Sequence, residues 1–262
     1  KSMWRNLDVL ALWLQYHSAR GNFAFLKVIN LSMSTDVFMT NHLYVENSIP
    51  AFSREAPFSN VLTDLQTKGW SVQDDFFSTD FTQALMDEVE NIHIAYMQQA
   101  GVGRKQDHQV VLDTRRDYIQ WIDPDKPIKK DFLKMMEDLR VALNRRLFLG
   151  LFDYEAHFAR YETGAFYEKH IDAFKGESNR ILSTVLYLNE GWQEGEGGEL
   201  VIYDENDPAI EIGRFYPKKG RLAVFLSECF YHEVVVANRT RHSIAGWFRI
   251  NNTTSMTLDP DQ

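Results

Sequence analysis

The sequence predicts a mainly β fold, a sandwich or jelly roll with helices grouped ahead of it, and three observations carry that expectation. Downstream of Gly150, short apolar-alternating segments follow one another at close intervals, separated by Gly, Asn, Asp and Pro turns. Upstream of it, the apolar residues recur with helical spacing instead. At 262 residues, 44% hydrophobic, with 18 Phe, 11 Tyr and 6 Trp, the chain can bury a sizeable core and suits one large domain with an extension.

Residues 1–57 stand apart. A short amphipathic pattern (Trp4, Leu7, Leu10, Leu14) leads into "NFAFLKVINLSM" and a polar stretch closing on "PAFSREAP". They carry no recognisable chemistry and read as a docking arm, a small added layer, or sequence upstream of the domain proper. The domain itself is expected over 58–262. It opens with "FSNVLTDLQTKGWSVQDDFFS", a helix stopping at Gly69 and handing over to a short strand. "STDFTQALMDEVENIHIAYMQQAG" reads as one helix, with Ser78 or Thr79 as its cap and Gly101 at its end. A third helix, "KKDFLKMMEDLRVALNRRLFLG", ends before Gly150 and sends Met135, Met136 and Leu139 into the core.

The strand series then runs "EAHFARYE", "RILSTVLYLN", "GELVIYDE", "EIGRFYP", "RLAVFLSE", "YHEVVVAN" and "TRHSIAGWFRIN". No repeat of fixed period interrupts it. The Gly-rich "GEGGEL" precedes a strand and not a helix, so it lacks the N-terminal dipole of a phosphate loop and reads as a turn.

A net charge of −9 gives no basic footprint for nucleic acid or anionic membranes. The single Cys229 can form no internal disulfide and favours a reducing compartment. "LDVLALWL" is too short and too polar for a secretory signal, and no window is long and uncharged enough to span a bilayer. These features predict a cytoplasmic protein.

Candidate chemistry begins at "YEKHIDAF". In an extended strand His170 and Asp172 project from one face and can share a metal ion. His232, 60 positions later in "CFYHEVVV", supplies a third ligand from a distant strand. Arg241 follows nine residues on. If "VVVANRTRHSI" is a hairpin centred on Asn238-Arg239, Val236 lies opposite Arg241 and His232 opposite Ala245. His232, Val234, Arg241, Ser243 and Trp247 then share the inward face. A buried Arg needs an anion. Two His and one carboxylate on one face of Fe(II) leave three positions open, as in non-heme Fe(II) oxygenases. A 2-oxo acid can fill two of them, dioxygen the third, while the far carboxylate of the acid meets the planar fork of Arg241.

With these residues in view, residues 58–262 resemble the 2-oxoglutarate- and Fe(II)-dependent dioxygenases, and among them the hypoxia-sensing prolyl hydroxylases and their bacterial relatives. The H-x-D, distal His and following Arg of that family fall on His170, Asp172, His232 and Arg241. Its "HEV", "YLN" and "GGxL" strings match "HEV" from His232, "YLN" from Tyr187 and "GGEL" from Gly197. The resemblance implies a double-stranded β-helix core, His170, Asp172 and His232 as catalytic metal ligands, and Tyr187 sharing the 2-oxoglutarate carboxylate with Arg241. It places Trp247 beside the pocket. "RRDYIQWI" looks like a mobile loop over the substrate, with Arg115 and Asp117 as its charged pair and Trp121 behind; a surface ion pair at a turn is the plainer alternative. Tyr161 and Tyr167 match two pocket tyrosines, although the segment between Tyr161 and His170 is one residue short, which bears on substrate fit.

The implied reaction is oxidative decarboxylation of 2-oxoglutarate coupled to C–H hydroxylation, with ascorbate as reductant and a proline-containing protein or peptide, such as a translation factor, as target. Two alternatives stay open: oxidation of another side chain or small molecule, and a jelly-roll module that senses a metal and an organic acid without turnover. His17, His42, His93, His108, His157 and His242 lack partners at ligand spacing and read as surface or satisfied core residues, with His242 facing outward.

Overall fold

A computed structural model describes residues 56–101, 113–174 and 178–251. The amphipathic pattern at Trp4–Leu14 and the rest of 1–55 lie outside the described residues. The strands form two antiparallel sheets. The larger runs in the order β1 (Trp70–Gln73), β9 (Leu222–Leu226), β6 (Arg180–Tyr187), β11 (Arg241–Arg249), β4 (Asp153–Tyr161), β3 (Asp117–Trp121) and β2 (Gln98–Gln99). The smaller runs β5 (Tyr167–His170), β10 (His232–Val234), β7 (Leu200–Tyr203) and β8 (Glu211–Phe215). This is the expected jelly-roll arrangement, two sheets with facing inner surfaces.

Strand parity divides the work of the large sheet. Phe158 of β4, Leu182 and Leu186 of β6, Val224 of β9 and Ile244 and Phe248 of β11 form its helix-side core with Leu85, Phe132, Met136, Leu139 and Leu143. Each such burial contributes about 2 kcal/mol. The odd-numbered residues of β4, β6 and β11 point the other way, toward the small sheet.

The helices are α1 (Ser59–Lys68), α2 (Thr79–Glu90) and α3 (Pro127–Leu147). α1 stops where Gly69 adopts φ 77°, a left-handed cap that returns its N–H to the Leu65 carbonyl. The Ser78 side chain accepts from the Phe81 N–H at 3.3 Å and starts α2. Pro127 opens α3 with φ already set for a helix. Met136 and Leu139 of α3 are fully buried and Met135 packs beside them.

Four expectations change. The helix predicted to run on to Gly101 ends at Glu90; a short 3-10 turn at Ile94–Tyr96 follows, and Gln98–Gln99 pairs with β3. Asn91 closes the helix, its side-chain amide donating back to the Asp87 carbonyl at 2.7 Å, and Gln98–Gln99 join the β3 edge instead. Asp117–Trp121 of "RRDYIQWI" is a strand in register with β4, not a loop; residues 102–112 before it lie outside the described ones.

The hairpin centred on Asn238-Arg239 does not form. β10 pairs with β5 and β7, while β11 pairs with β4 and β6. The segment between them crosses from sheet to sheet, its backbone held by Glu199, Gly198, Ala165 and Glu196. His232 and Arg241 still converge, because facing sheets present their inner residues to one interior. Finally, His242 is buried on the helix side of β11 and is not exposed, being 5% accessible.

Candidate metal and 2-oxo acid site

His170 closes β5, and β10 pairs it directly with His232, so strand register alone sets two imidazoles side by side. Their ring centroids are 4.2 Å apart. Asp172 lies in the bend beyond β5, so a shared strand face is not what brings it in. Its carboxylate reaches 3.6 Å from His170 Nε2 and 3.5 Å from His232 Nε2. One ligand atom from each residue lies within 4.8 Å of the others.

The tautomers follow from the partners. His170 Nδ1 is 2.7 Å from the Glu168 carbonyl and His232 Nδ1 is 3.1 Å from that of Phe230. Carbonyls only accept, so each Nδ1 carries the hydrogen and each Nε2 turns a lone pair toward Asp172. Burial, with His170 beside it, lowers the His232 pKa to about 4 and keeps the ring neutral. Burial would raise the Asp172 carboxyl, but the positive charge of His232 and His170 when those rings are protonated, with Arg180, outweighs it and holds it well below the usual range. Two imidazole nitrogens and a carboxylate converging on one point match the donor set of a divalent transition ion.

Behind them lies a second unsatisfied group. Arg241 is 1% accessible and bonds only the Ser243 hydroxyl at 3.1 Å, with no carboxylate partner among the described residues. Its guanidinium sits 4.7 Å from the Tyr161 ring and 5.1 Å from the Tyr187 ring. Among the described residues, the Tyr187 hydroxyl and Arg241 Nε have no hydrogen-bond partner, and both are buried. A buried cation and a buried hydroxyl left open cost several kcal/mol unless an anion meets them. A carboxylate would satisfy both.

Gly197 and Gly198 make this burial possible. A Cβ on Gly197 would meet the Val236 carbonyl oxygen at 2.0 Å, and one on Gly198 would meet Arg241 Cδ at 3.1 Å. The turn read from "GEGGEL" therefore packs against the stem of the pocket arginine.

Toward the other end of the cleft, Tyr167 stacks on His170 at 3.5 Å, and Arg115 lies 4.5 Å over the Tyr167 ring. Arg115 grips Asp117 through two bonds of 2.5 and 2.8 Å. Asp117 is fully buried, so the pair belongs to the cleft wall and is not a surface turn. Trp247 is 7% accessible with no partner for its indole N–H among the described residues, and Arg180 covers its ring at 3.6 Å. Arg180, Glu155, Arg249 and Asp153 then alternate in charge across β6, β4 and β11.

Three contributors to the cleft were not anticipated. His157, read as unremarkable, is buried on the cleft side between Trp121 and Trp247, at centroid distances of 5.2 and 5.6 Å. Burial, then Arg115, lowers its pKa to about 4. Ser183 donates to Asp172 Oδ2 at 2.6 Å, and Ser227 lies 2.9 Å from Ser183. Ser183 is four residues before Tyr187 on one strand, so the parity that turns Tyr187 inward could have found it. Nothing local marks Ser227.

The family model described as the 2OG-Fe(II) oxygenase superfamily matches residues 156–249, which carry all three candidate ligands and Arg241. A prolyl-4-hydroxylase from Pseudomonas putida is 41% identical and superposes with a TM-score of 0.66, covering 73% of this chain and 98% of that one. The chain belongs to the 2OG-Fe(II) oxygenase superfamily, whose members work with Fe(II), 2-oxoglutarate and dioxygen. Within it, the resemblance is to prolyl hydroxylases. A hypoxia-inducible factor prolyl hydroxylase of Caenorhabditis elegans is 27% identical over 208 residues, 72% of this chain and 28% of that protein. The chain thus spans little more than a quarter of that relative. A Trichoplax adhaerens prolyl hydroxylase, solved with a hypoxia inducible factor peptide, shares the fold at 22% identity and TM-score 0.67, covering 78% and 94% of the two chains.

Proposed function

We propose that this chain is a protein-prolyl 4-hydroxylase that couples decarboxylation of 2-oxoglutarate to hydroxylation of a proline in a protein or peptide. The carrying observation is the pairing of two unmet demands in one cleft. Three lone-pair donors converge at His170, Asp172 and His232, and behind them Arg241 is a buried guanidinium with no carboxylate partner among the described residues. The 41% identity to the Pseudomonas putida prolyl-4-hydroxylase supports proline as the target.

His170, Asp172 and His232 would hold Fe(II), with both Nδ1 hydrogens tied to backbone carbonyls so that the rings keep their aim. Arg241 and Tyr187 would bind the far carboxylate of 2-oxoglutarate, the guanidinium by charge and the phenol by its hydroxyl hydrogen. Bound there, Fe(II) with 2-oxoglutarate and dioxygen supplies the oxidation, so that R–H, 2-oxoglutarate and O2 become R–OH, succinate and CO2. The protein's part is to orient these components and exclude water.

Tyr161 walls the deep end. Tyr167, Trp247 and the Arg115–Asp117 pair would line the approach of the peptide, where flat aromatic faces suit a proline ring. A translation factor is a candidate target, and a single cysteine, Cys229, suits a reducing, cytoplasmic setting. The catalytic unit would span 58–262, with 1–57 an extension.

The test is turnover with mass readout. Purified protein with Fe(II), 2-oxoglutarate and ascorbate is incubated with proline-containing peptides and with a cell lysate. Succinate release with one added oxygen on proline is expected, and Asp172→Ala should abolish both. An added oxygen on another residue would replace proline as the target. Tight 2-oxoglutarate binding without succinate would make the chain a sensing module.

A further inference from the structure

We infer that Ser183 and Ser227 are positioning residues that fix which oxygen of the Asp172 carboxylate is left for the metal. This rests on the metal site proposed above. A metal-bound aspartate is ionised and can only accept hydrogen bonds, so the 2.6 Å contact to Oδ2 must be donated by Ser183. A serine hydroxyl has one hydrogen. The 2.9 Å contact between the two serines must therefore run from the Ser227 hydroxyl to Ser183 Oγ. The chain of donors has one direction, Ser227 to Ser183 to Asp172.

Both serines are held by the sheet. Ser183 sits in β6 with Trp247 and Phe225 as its neighbours on either side, and Ser227 N–H bonds the Ile181 carbonyl at 2.9 Å. They are 2% and 0% accessible, so water does not compete for these bonds. Asp172 itself lies in the bend after β5 and next to residues 175–177, outside the regular ladder. A carboxylate on a bend has no strand to aim it. The rigid large sheet supplies the aim across the cleft, by occupying Oδ2.

The consequence is a carboxylate whose Oδ2 already accepts a hydrogen bond, which leaves Oδ1, 3.6 Å from His170 Nε2, as the freer and stronger donor for the ion. Bidentate binding would take one of the three positions that 2-oxoglutarate and dioxygen require. The serine pair thus protects the open coordination positions as well as the affinity.

The experiment measures metal binding, anaerobically with Fe(II) and in parallel with Co(II), whose visible absorption reports coordination, on the full chain. Wild type, Ser183→Ala, Ser183→Cys, Ser183→Thr and Ser227→Ala are compared, with Asp172→Ala as control. Ser183→Ala and Ser183→Cys should bind the ion about 10- to 100-fold more weakly and alter the Co(II) spectrum, as losses of outer hydrogen bonds to ligands do. Ser183→Thr, which keeps the hydroxyl, should restore both. Ser227→Ala should fall between. Should Ser183→Ala not fold, Ser183→Cys carries the comparison at nearly unchanged volume. Wild-type affinity and spectrum in both Ser183→Ala and Ser183→Cys would overturn the inference while leaving the metal site standing. Equal binding by wild type and Asp172→Ala would instead overturn the metal site itself.

Discussion

At the scale of single residues, the site is built from groups that the fold leaves deliberately incomplete. Arg241 is buried with one hydroxyl for company, and Tyr187 has no partner for its own among the described residues. Gly198 is what lets the Arg241 stem lie where it does, at φ 69° and with a Cβ there pressing on Arg241 Cδ at 3.1 Å. Gly198→Ala is therefore expected to raise the KM for 2-oxoglutarate about tenfold, equivalent to about 1.4 kcal/mol of binding, while kcat at saturation changes little. A steady-state titration of succinate release checks this. An unchanged KM would mean that Arg241 tolerates a shifted stem. The candidate ligands were legible from residue types and spacing, as was Arg241. Ser227 and His157 were not, and Ser183 only through the parity it shares with Tyr187, since such residues are usually unremarkable and their role depends on what lies across the cleft.

At the scale of elements, β11 is the hinge of the architecture: its odd residues face the cleft and its even ones the helical layer. Gly246 sits at the centre of the second face, where a Cβ would meet the Tyr154 hydroxyl at 2.3 Å. That hydroxyl bonds Thr184 at 2.8 Å, so it has little freedom to retreat. Gly246→Ala should cost about 1–3 kcal/mol by overpacking, read as a lower denaturation midpoint with unchanged slope. Asp74, just after β1, offers a second element-level test. It is bonded by Arg221 at 2.5 Å and approached by Lys218 at 3.4 Å. The Arg221 bond lowers its pKa from the ordinary aspartate value. A depressed carboxyl stabilises the fold above the unfolded pKa and loses that contribution as pH falls through the folded one. Because the pair is partly exposed, Asp74→Asn should cost less than about 1 kcal/mol at pH 7. The gap from wild type should close on acidification below the folded pKa; a gap independent of pH in urea melts would rule the ion pair out as its cause.

At the scale of the whole molecule, the cleft joins two sheets that meet mainly through side chains, so ligands binding to both should tie them together. His170, Asp172 and His232 come from the small sheet and its flanking bend, Arg241 and Tyr187 from the large one. With the metal site saturated, 2-oxoglutarate at about 100 times its dissociation constant should stabilise the fold by a further ~2.7 kcal/mol. For a domain of this size that corresponds to a rise in Tm of roughly 5–10 °C. Differential scanning fluorimetry under argon measures it. The rise should vanish in His170→Ala and on chelation; a rise that survives both would place the ligands elsewhere.

By itself the sequence determined the strand series after Gly150, the inward parity within each strand and the identity of the converging groups. Those are local properties: period two, turn residues and side-chain chemistry are written along the chain. The tertiary structure alone decided that β10 and β11 part into different sheets, that Asp172 reaches the site from a bend, and that "RRDYIQWI" contributes a strand. It alone set Ser183 and Ser227 against Asp172 and His157 between two tryptophans. Parity tells which way a residue points but not which strands pair, and pairing is settled by closure of the two sheets over distances that no short stretch encodes. His232 and Arg241 therefore meet in the expected cleft by a route that local spacing could not reveal.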